Sequence, residues 1–160
     1  MDFRERLQKA ANRGIRSRAE REHAEAAQAL NEEECRRRHS ALRLELCDHI
    51  EACLRQLSDN FPGFNFSTIA DDKGWGAGIS RDDLVIASGK RQNLFSRLQL
   101  TVGPYSPDYK VLSISAKGAV RNKESFVRDH FQSIEDLDEQ KFRELIELWV
   151  LDYAEQYAGG

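Results

Sequence analysis

LDEQKFRELIELWVLDYAEQYA, residues 137–158, is the stretch that decides how the chain is built. Leu137, Phe142, Leu145, Ile146, Trp149, Val150, Tyr153, Ala154 and Tyr157 recur at i, i+3, i+4 and i+7, the period of an amphipathic helix. Asp136 stands before the run with Glu139 three residues later, the pattern of a helix N-cap. Gly159 and Gly160 follow its end. A helix with one apolar stripe needs a surface to lie on, and the residues before it supply one.

Upstream, the period changes from helical to alternating. In Leu94–Val102, Ser96, Leu98, Leu100 and Val102 fall on one side, and Phe95, Arg97, Gln99 and Thr101 on the other. Residues 109–117 repeat the pattern, with Leu112, Ile114 and Ala116 opposite Val111, Ser113, Ser115 and Lys117. Such alternation marks strands with one buried and one solvated face. Further strands are expected at 64–69, 75–79, 84–88 and 125–131. Turns are expected at Asp71–Gly74, Ser80–Asp83 and Gly89–Asn93, at the two-proline segment 103–108, and at 121–124. Short connections favour an antiparallel meander of five or six strands.

Residues 1–58 contain no proline, and Gly14 is the only glycine. Ala, Glu, Arg, Gln and Leu dominate, so a long N-terminal helix is expected, with a break at Gly14 or within 31–34 as the open alternative. Its two halves differ. Leu42, Leu46, Ile50, Cys53, Leu54 and Leu57 form a stripe that should dock on the sheet. Residues 1–34 show only a thin pattern of Phe3, Leu7, Ala10, Ala11, Ile15 and scattered alanines up to Leu30. The expected organisation is therefore a charged helical arm over 1–34 and one α+β domain over 35–160. The C-terminal amphipathic helix closes the sheet.

Composition narrows the function classes. The chain has 160 residues and a net charge of −3, which points to neither nucleic acid nor membrane. Its charge is distributed unevenly. Residues 1–21 hold seven Lys/Arg against three acids, and residues 22–34 hold five acids and no Lys/Arg. Residues 73–128 hold ten bases against four acids, and residues 135–160 hold eight acids against two bases. No apolar stretch approaches a membrane span. Three cysteines and no secretion-type leader suggest reduced thiols and a cytoplasmic protein.

Cys35, His39, His49 and Cys53 lie within about 80° of one another on a helical projection. Cys35 and Cys53 are roughly 27 Å apart along the axis, so one helix cannot gather them into a site. A zinc site would need two antiparallel helices from two copies. Burial in the same stripe as Leu42 and Leu46 accounts for these residues more simply. Gly74–Gly78 lacks the Lys-Ser/Thr and following helix of a phosphate loop. No catalytic set, cofactor, metal or small-molecule ligand is expected.

The polar sheet face carries the candidate binding residues Arg97, Gln99 and Lys117, with Arg121 and Lys123 at the adjoining turn. The expected function is a non-enzymatic, adaptor or chaperone-like protein-interaction module that self-associates through its N-terminal helix; a homodimer and contact of that helix with a different protein are the two forms this leaves open. The alternative is nucleic-acid binding through the basic region 73–128 or the basic arm 1–21.

Overall fold

The computed structural model describes residues 2–160, with the side chain of Leu30 outside the description. Helix α1 spans Phe3–Asn60, followed by β1 (Asn65–Asp71), β2 (Gly74–Ala87), β3 (Lys90–Val102), β4 (Val111–Val120) and β5 (Lys123–Ser133). A short 3-10 turn, Ile134–Asp136, leads into α2, Glu139–Gly159. The five strands form one antiparallel sheet in the order β1-β2-β3-β4-β5, a simple meander. The α+β class and both terminal helices are as the periodicities predict.

Both helices lie on one face of the sheet, side by side and parallel. Arg143 approaches Glu45 at 4.0 Å, His49 approaches Glu147 at 3.6 Å, and the Phe61 and Tyr157 rings meet edge-on at 5.1 Å. The residue numbers rise together along the two helices, which fixes their shared direction. The face below them is built in cross-strand rows. One row runs Phe66, Ile79, Leu98, Gly118, Phe126, and the next runs Thr68, Ala77, Leu100, Ala116, Arg128. Leu42, Leu46, Ile50, Leu54 and Leu57 from α1 complete the core with Phe142, Ile146, Trp149, Val150, Tyr153 and Tyr157 from α2.

Gly118 shows how close this packing is. A Cβ there would stand 2.9 Å from the Arg97 carbonyl oxygen and 3.2 Å from the Tyr153 ring. Tyr153 is fully buried and donates its hydroxyl to the Ala119 carbonyl at 2.8 Å. Burying the ring therefore leaves no orphaned polar group.

Besides the turn expected at Gly89–Asn93, which narrows to Ser88–Gly89 because Lys90–Asn93 pair with Ala87–Leu84, four details bear on the sequence expectations. The first is that α1 is continuous, which settles the open alternative of a break at Gly14 or within 31–34. Gly14 costs a helix about 1 kcal/mol relative to Ala but does not break it, and residues 31–34 stay helical to Cys35. The second is that the turn expected at Ser80–Asp83 does not exist. These residues pair with Arg97–Leu94 and join the expected strands 75–79 and 84–88 into one β2, giving five strands and not six. Arg81 donates to the Asp83 carboxylate at 2.8 Å and to the Pro62 carbonyl at 2.7 Å, so a polar run is held extended.

The third difference is at β4, which begins at Val111 and not at Tyr109. Lys110 takes a left-handed φ of 49° and donates its N–H to Ser106. The last is the cap of α2, which is Asp138 and not Asp136. Ile134 is buried, so residues 134–136 turn inward before the helix can start. The Asp138 carboxylate then accepts from the Lys141 N–H at 3.4 Å.

Candidate functional site

The polar face of the sheet, opposite the helices, gathers three of the five residues expected to bind. Gln99 and Lys117 are register partners on β3 and β4, and Arg97 lies two residues along. Arg97 donates to Gln99 at 3.3 Å and to Glu124 at 3.1 Å. Thr101 and Ser115 share a hydrogen bond of 3.0 Å beside them. A shallow depression of about 400 Å³ opens here, bordered by Asp71, Lys73, Gln99, Lys117 and Asp129. Its charges are mixed, with two carboxylates facing two ammonium groups.

Arg121 and Lys123 are not brought into that face. The Arg121 guanidinium donates to the Tyr157 carbonyl at 3.1 Å and lies 4.7 Å over the Tyr157 ring. It satisfies an orphan carbonyl of the last turn of α2, where a cation is favoured. Its backbone N–H binds the buried Ser96 hydroxyl at 2.9 Å. Lys123 is exposed at the start of β5.

The histidines and cysteines of α1 fall into two groups. Cys35 and His39 are buried against the chain's own sheet. A His39 ring nitrogen lies 3.1 Å from the Gly103 carbonyl, and the ring meets Tyr105 edge-on at 5.5 Å. Burial pushes the His39 pKa down, against the raising effect of that hydrogen bond. His49 and Cys53 turn toward α2, where the imidazole lies 3.8 Å from Cys53 Sγ and 3.6 Å from Glu147. Burial raises the Cys53 and Cys47 thiols above their ordinary range, so neither is held as thiolate. Among the described residues no three His, Cys, Asp or Glu side chains converge on a metal-sized site. A zinc site shared between two copies would need Cys35 and His39 on an open face, and both are inside.

Three surfaces escape a reading by periodicity. The first is the arm. Every described side chain from Asp2 to Ala29 is exposed, including Phe3 at 75%, Leu7 at 58% and Ile15 at 69%. Among the described residues Cys35 is the first that is buried. The second is a groove of about 540 Å³ between α1 and α2, lined by Cys53, Leu57, Glu147, Val150, Leu151 and Ala154. Leu151 on its wall, and Leu148 one turn earlier on α2, stand exposed. The one trace they leave in the sequence is that both fall outside the i, i+3, i+4 stripe of the helix.

The third surface is a two-stranded ribbon. β1 pairs with β2 only as far as Ser80, and β4 with β3 only as far as Arg97. Residues 81–96 therefore extend beyond the sheet, with Leu84, Ile86 and Phe95 exposed. Asn122 ties its base by accepting from the Phe95 N–H and donating to the Asn93 carbonyl.

No protein-family model, no curated protein and no solved structure matches the chain. Among the described residues no helix is long and apolar enough to cross a membrane.

Proposed function

We propose that this chain is a non-enzymatic protein-interaction module of the adaptor or chaperone-like kind, which self-associates through its N-terminal helix. Residues 1–34 serve as the assembly arm and residues 35–160 as the body that carries a second surface for a partner. The cytoplasm, where its three free cysteines stay reduced, is the compartment this reading assigns.

The observation that carries the reading is the exposure of every described side chain from Asp2 to Ala29. Isolated helices draw little stability from propensity, and most helical stability in proteins comes from packing. The side-chain contacts along the arm are local. Arg18 pairs with Glu22 at 3.1 Å and Gln8 with Asn12 at 3.2 Å. An exposed i,i+4 ion pair contributes about 0.3–0.5 kcal/mol. Burying a side chain of the size of Phe, Leu or Ile contributes about 1.5–3 kcal/mol. Covering Phe3, Leu7 and Ile15 therefore outweighs the local pairs several-fold, and a second copy of the chain is the simplest cover. The alternation of a basic block, 1–21, with an acidic block, 22–34, favours an antiparallel partner of the same kind.

Nucleic acid is the rival ligand. Phosphate binding needs uncompensated positive charge, whereas the depression on the sheet face sets Asp71 and Asp129 against Lys73 and Lys117. On the sheet face this balance supports a protein partner, and the basic arm finds its counter-charge in the acidic residues of a second copy.

The test is the stoichiometry of the full chain and of a chain lacking residues 1–34, measured by light scattering. The full chain is expected to be a dimer. The shortened chain is expected to be a monomer that keeps its sheet, as read by circular dichroism. Equal stoichiometry in the two would sink the assembly role. A second variant with Phe3, Leu7 and Ile15 all changed to Asp should also be monomeric, with the body undisturbed because these side chains touch none of it.

A further inference from the structure

We infer that the basic tip of α1 from one copy seats in the groove between α1 and α2 of a second copy, reciprocally. The two α1 helices then run antiparallel about a two-fold axis near position 30. The inference rests on the self-association reading and names the surface that receives the arm.

The groove has the chemistry to hold such a helix. Its floor is apolar, formed by Cys53, Leu57, Val150 and Ala154, and Leu151 rises from its wall with 66% of its surface exposed. Its acidic charge comes from α2: Glu147 lines the groove beside Gln56 and Asn60 of α1, and Glu144 and Glu155 on the same helix as Glu147 are exposed. The tip of the arm is the complement. Phe3, Leu7 and Ile15 are exposed apolar residues among Arg4, Arg6, Lys9, Arg13 and Arg16. At 1.5 Å per residue, residues 3–15 span about 18 Å, the same length as residues 45–57 of α1, which carry Cys53 and Leu57 of the groove. An amphipathic helix laid in an apolar groove with opposite charges at its rim is a recurrent recognition mode.

The occupant must come from another molecule. Helix α1 is uninterrupted from Phe3 to Asn60, so the tip lies roughly 65 Å from its own groove at 1.5 Å rise per residue. A second copy brings further complementarity. When residues 3–15 of one copy run opposite residues 45–57 of the other, Glu22 comes opposite Arg38, and the stretch 20–25 with Glu20 and Glu25 comes opposite 35–40, which also holds Arg36 and Arg37 of the second copy. The arrangement is isologous, so every such contact forms twice. It covers the arm and the groove together. Pairing of the arms alone, centred near position 20, would leave the groove open.

The experiment uses the full chain in three forms: unaltered, with Leu148→Asp and Leu151→Asp together, and with Leu7→Cys. Leu148 and Leu151 are exposed within one chain, so the double variant should fold, as checked by circular dichroism. Light scattering at micromolar concentration should find the unaltered chain dimeric. The groove variant should be monomeric, its dimer Kd raised by about tenfold or more through lost apolar burial at both copies. A short bismaleimide should link the thiol introduced by Leu7→Cys to the native Cys53 of the other copy. A groove variant that stays dimeric, or a Leu7→Cys chain that dimerises without any link to Cys53, overturns the groove while leaving self-association standing. A monomeric unaltered chain overturns both.

Discussion

His39 ties α1 to the loop after β3, and its burial makes that tie sensitive to pH. The imidazole is 2% exposed, packed on Tyr105 and within hydrogen-bonding distance of the Gly103 carbonyl, with Arg43 adding a repulsive positive charge. Its pKa is depressed below the ordinary 6.5, so the folded chain holds the neutral form. His130, edge-on to Phe142 at 5.1 Å, is shifted the same way by its burial and by Lys141. A depressed folded pKa means that the unfolded chain takes up the proton first as pH falls. The stability is full above pH 6.5 and is lost on descending through and below it. Urea midpoints measured at pH 8 and pH 5 should therefore fall with acid. The fall should shrink when His39 is replaced by Gln, which keeps a polar partner for Gly103 but does not titrate. An equal fall in that variant would remove His39 as a cause.

Among the elements, the two that reach beyond the body differ in kind. The arm is a helix whose backbone hydrogen bonds are internal, so it needs only its thin apolar stripe covered. The ribbon 81–96 is a two-stranded extension, and an isolated hairpin is marginal in water. Local opening should begin there. In a limited trypsin digest, cleavage after Lys90 or Arg91 should precede cleavage after Arg97, Lys117 or Arg128, as mapped by mass spectrometry. Earlier cuts within β3–β4 would show the ribbon to be as firmly held as the sheet. The ribbon also marks where local reading fails. Ser80-Arg81-Asp82-Asp83 has the composition of a turn, and only its pairing with Arg97–Leu94 keeps it extended. The stripes of α1 and α2 were legible because one face of each helix meets one continuous core. The role of Leu148 and Leu151 was not, because they belong to no stripe and gain meaning only from α1 alongside.

For the molecule as a whole, charge is segregated along its length, with basic residues at the tip of the arm and an acidic excess on α2. A dimer held by that segregation must respond to salt. Exposed charges are screened within about 8 Å at physiological ionic strength and within about 3 Å at 1 M. The dimer Kd, followed by sedimentation between low and high sodium chloride, should rise with salt. Because the seat is also apolar, the dimer should not vanish as a purely ionic complex would. A Kd independent of salt would remove the charge pairing from the account.

Periodicity by itself determined the class of this protein: two amphipathic helices around a meander, an inner and an outer face for β3 and β4, and an arm too poor in apolar residues to bury itself. Those features depend on which residues share a face of one element, and that follows from the 3.6 and 2.0 periods of the backbone. The tertiary structure decided the rest. It set α1 and α2 parallel with a groove between them, drew Arg121 away from the polar face to the end of α2, and enclosed Cys35 and His39. These outcomes depend on register between distant elements, which packing of the whole core selects and no local window of sequence contains.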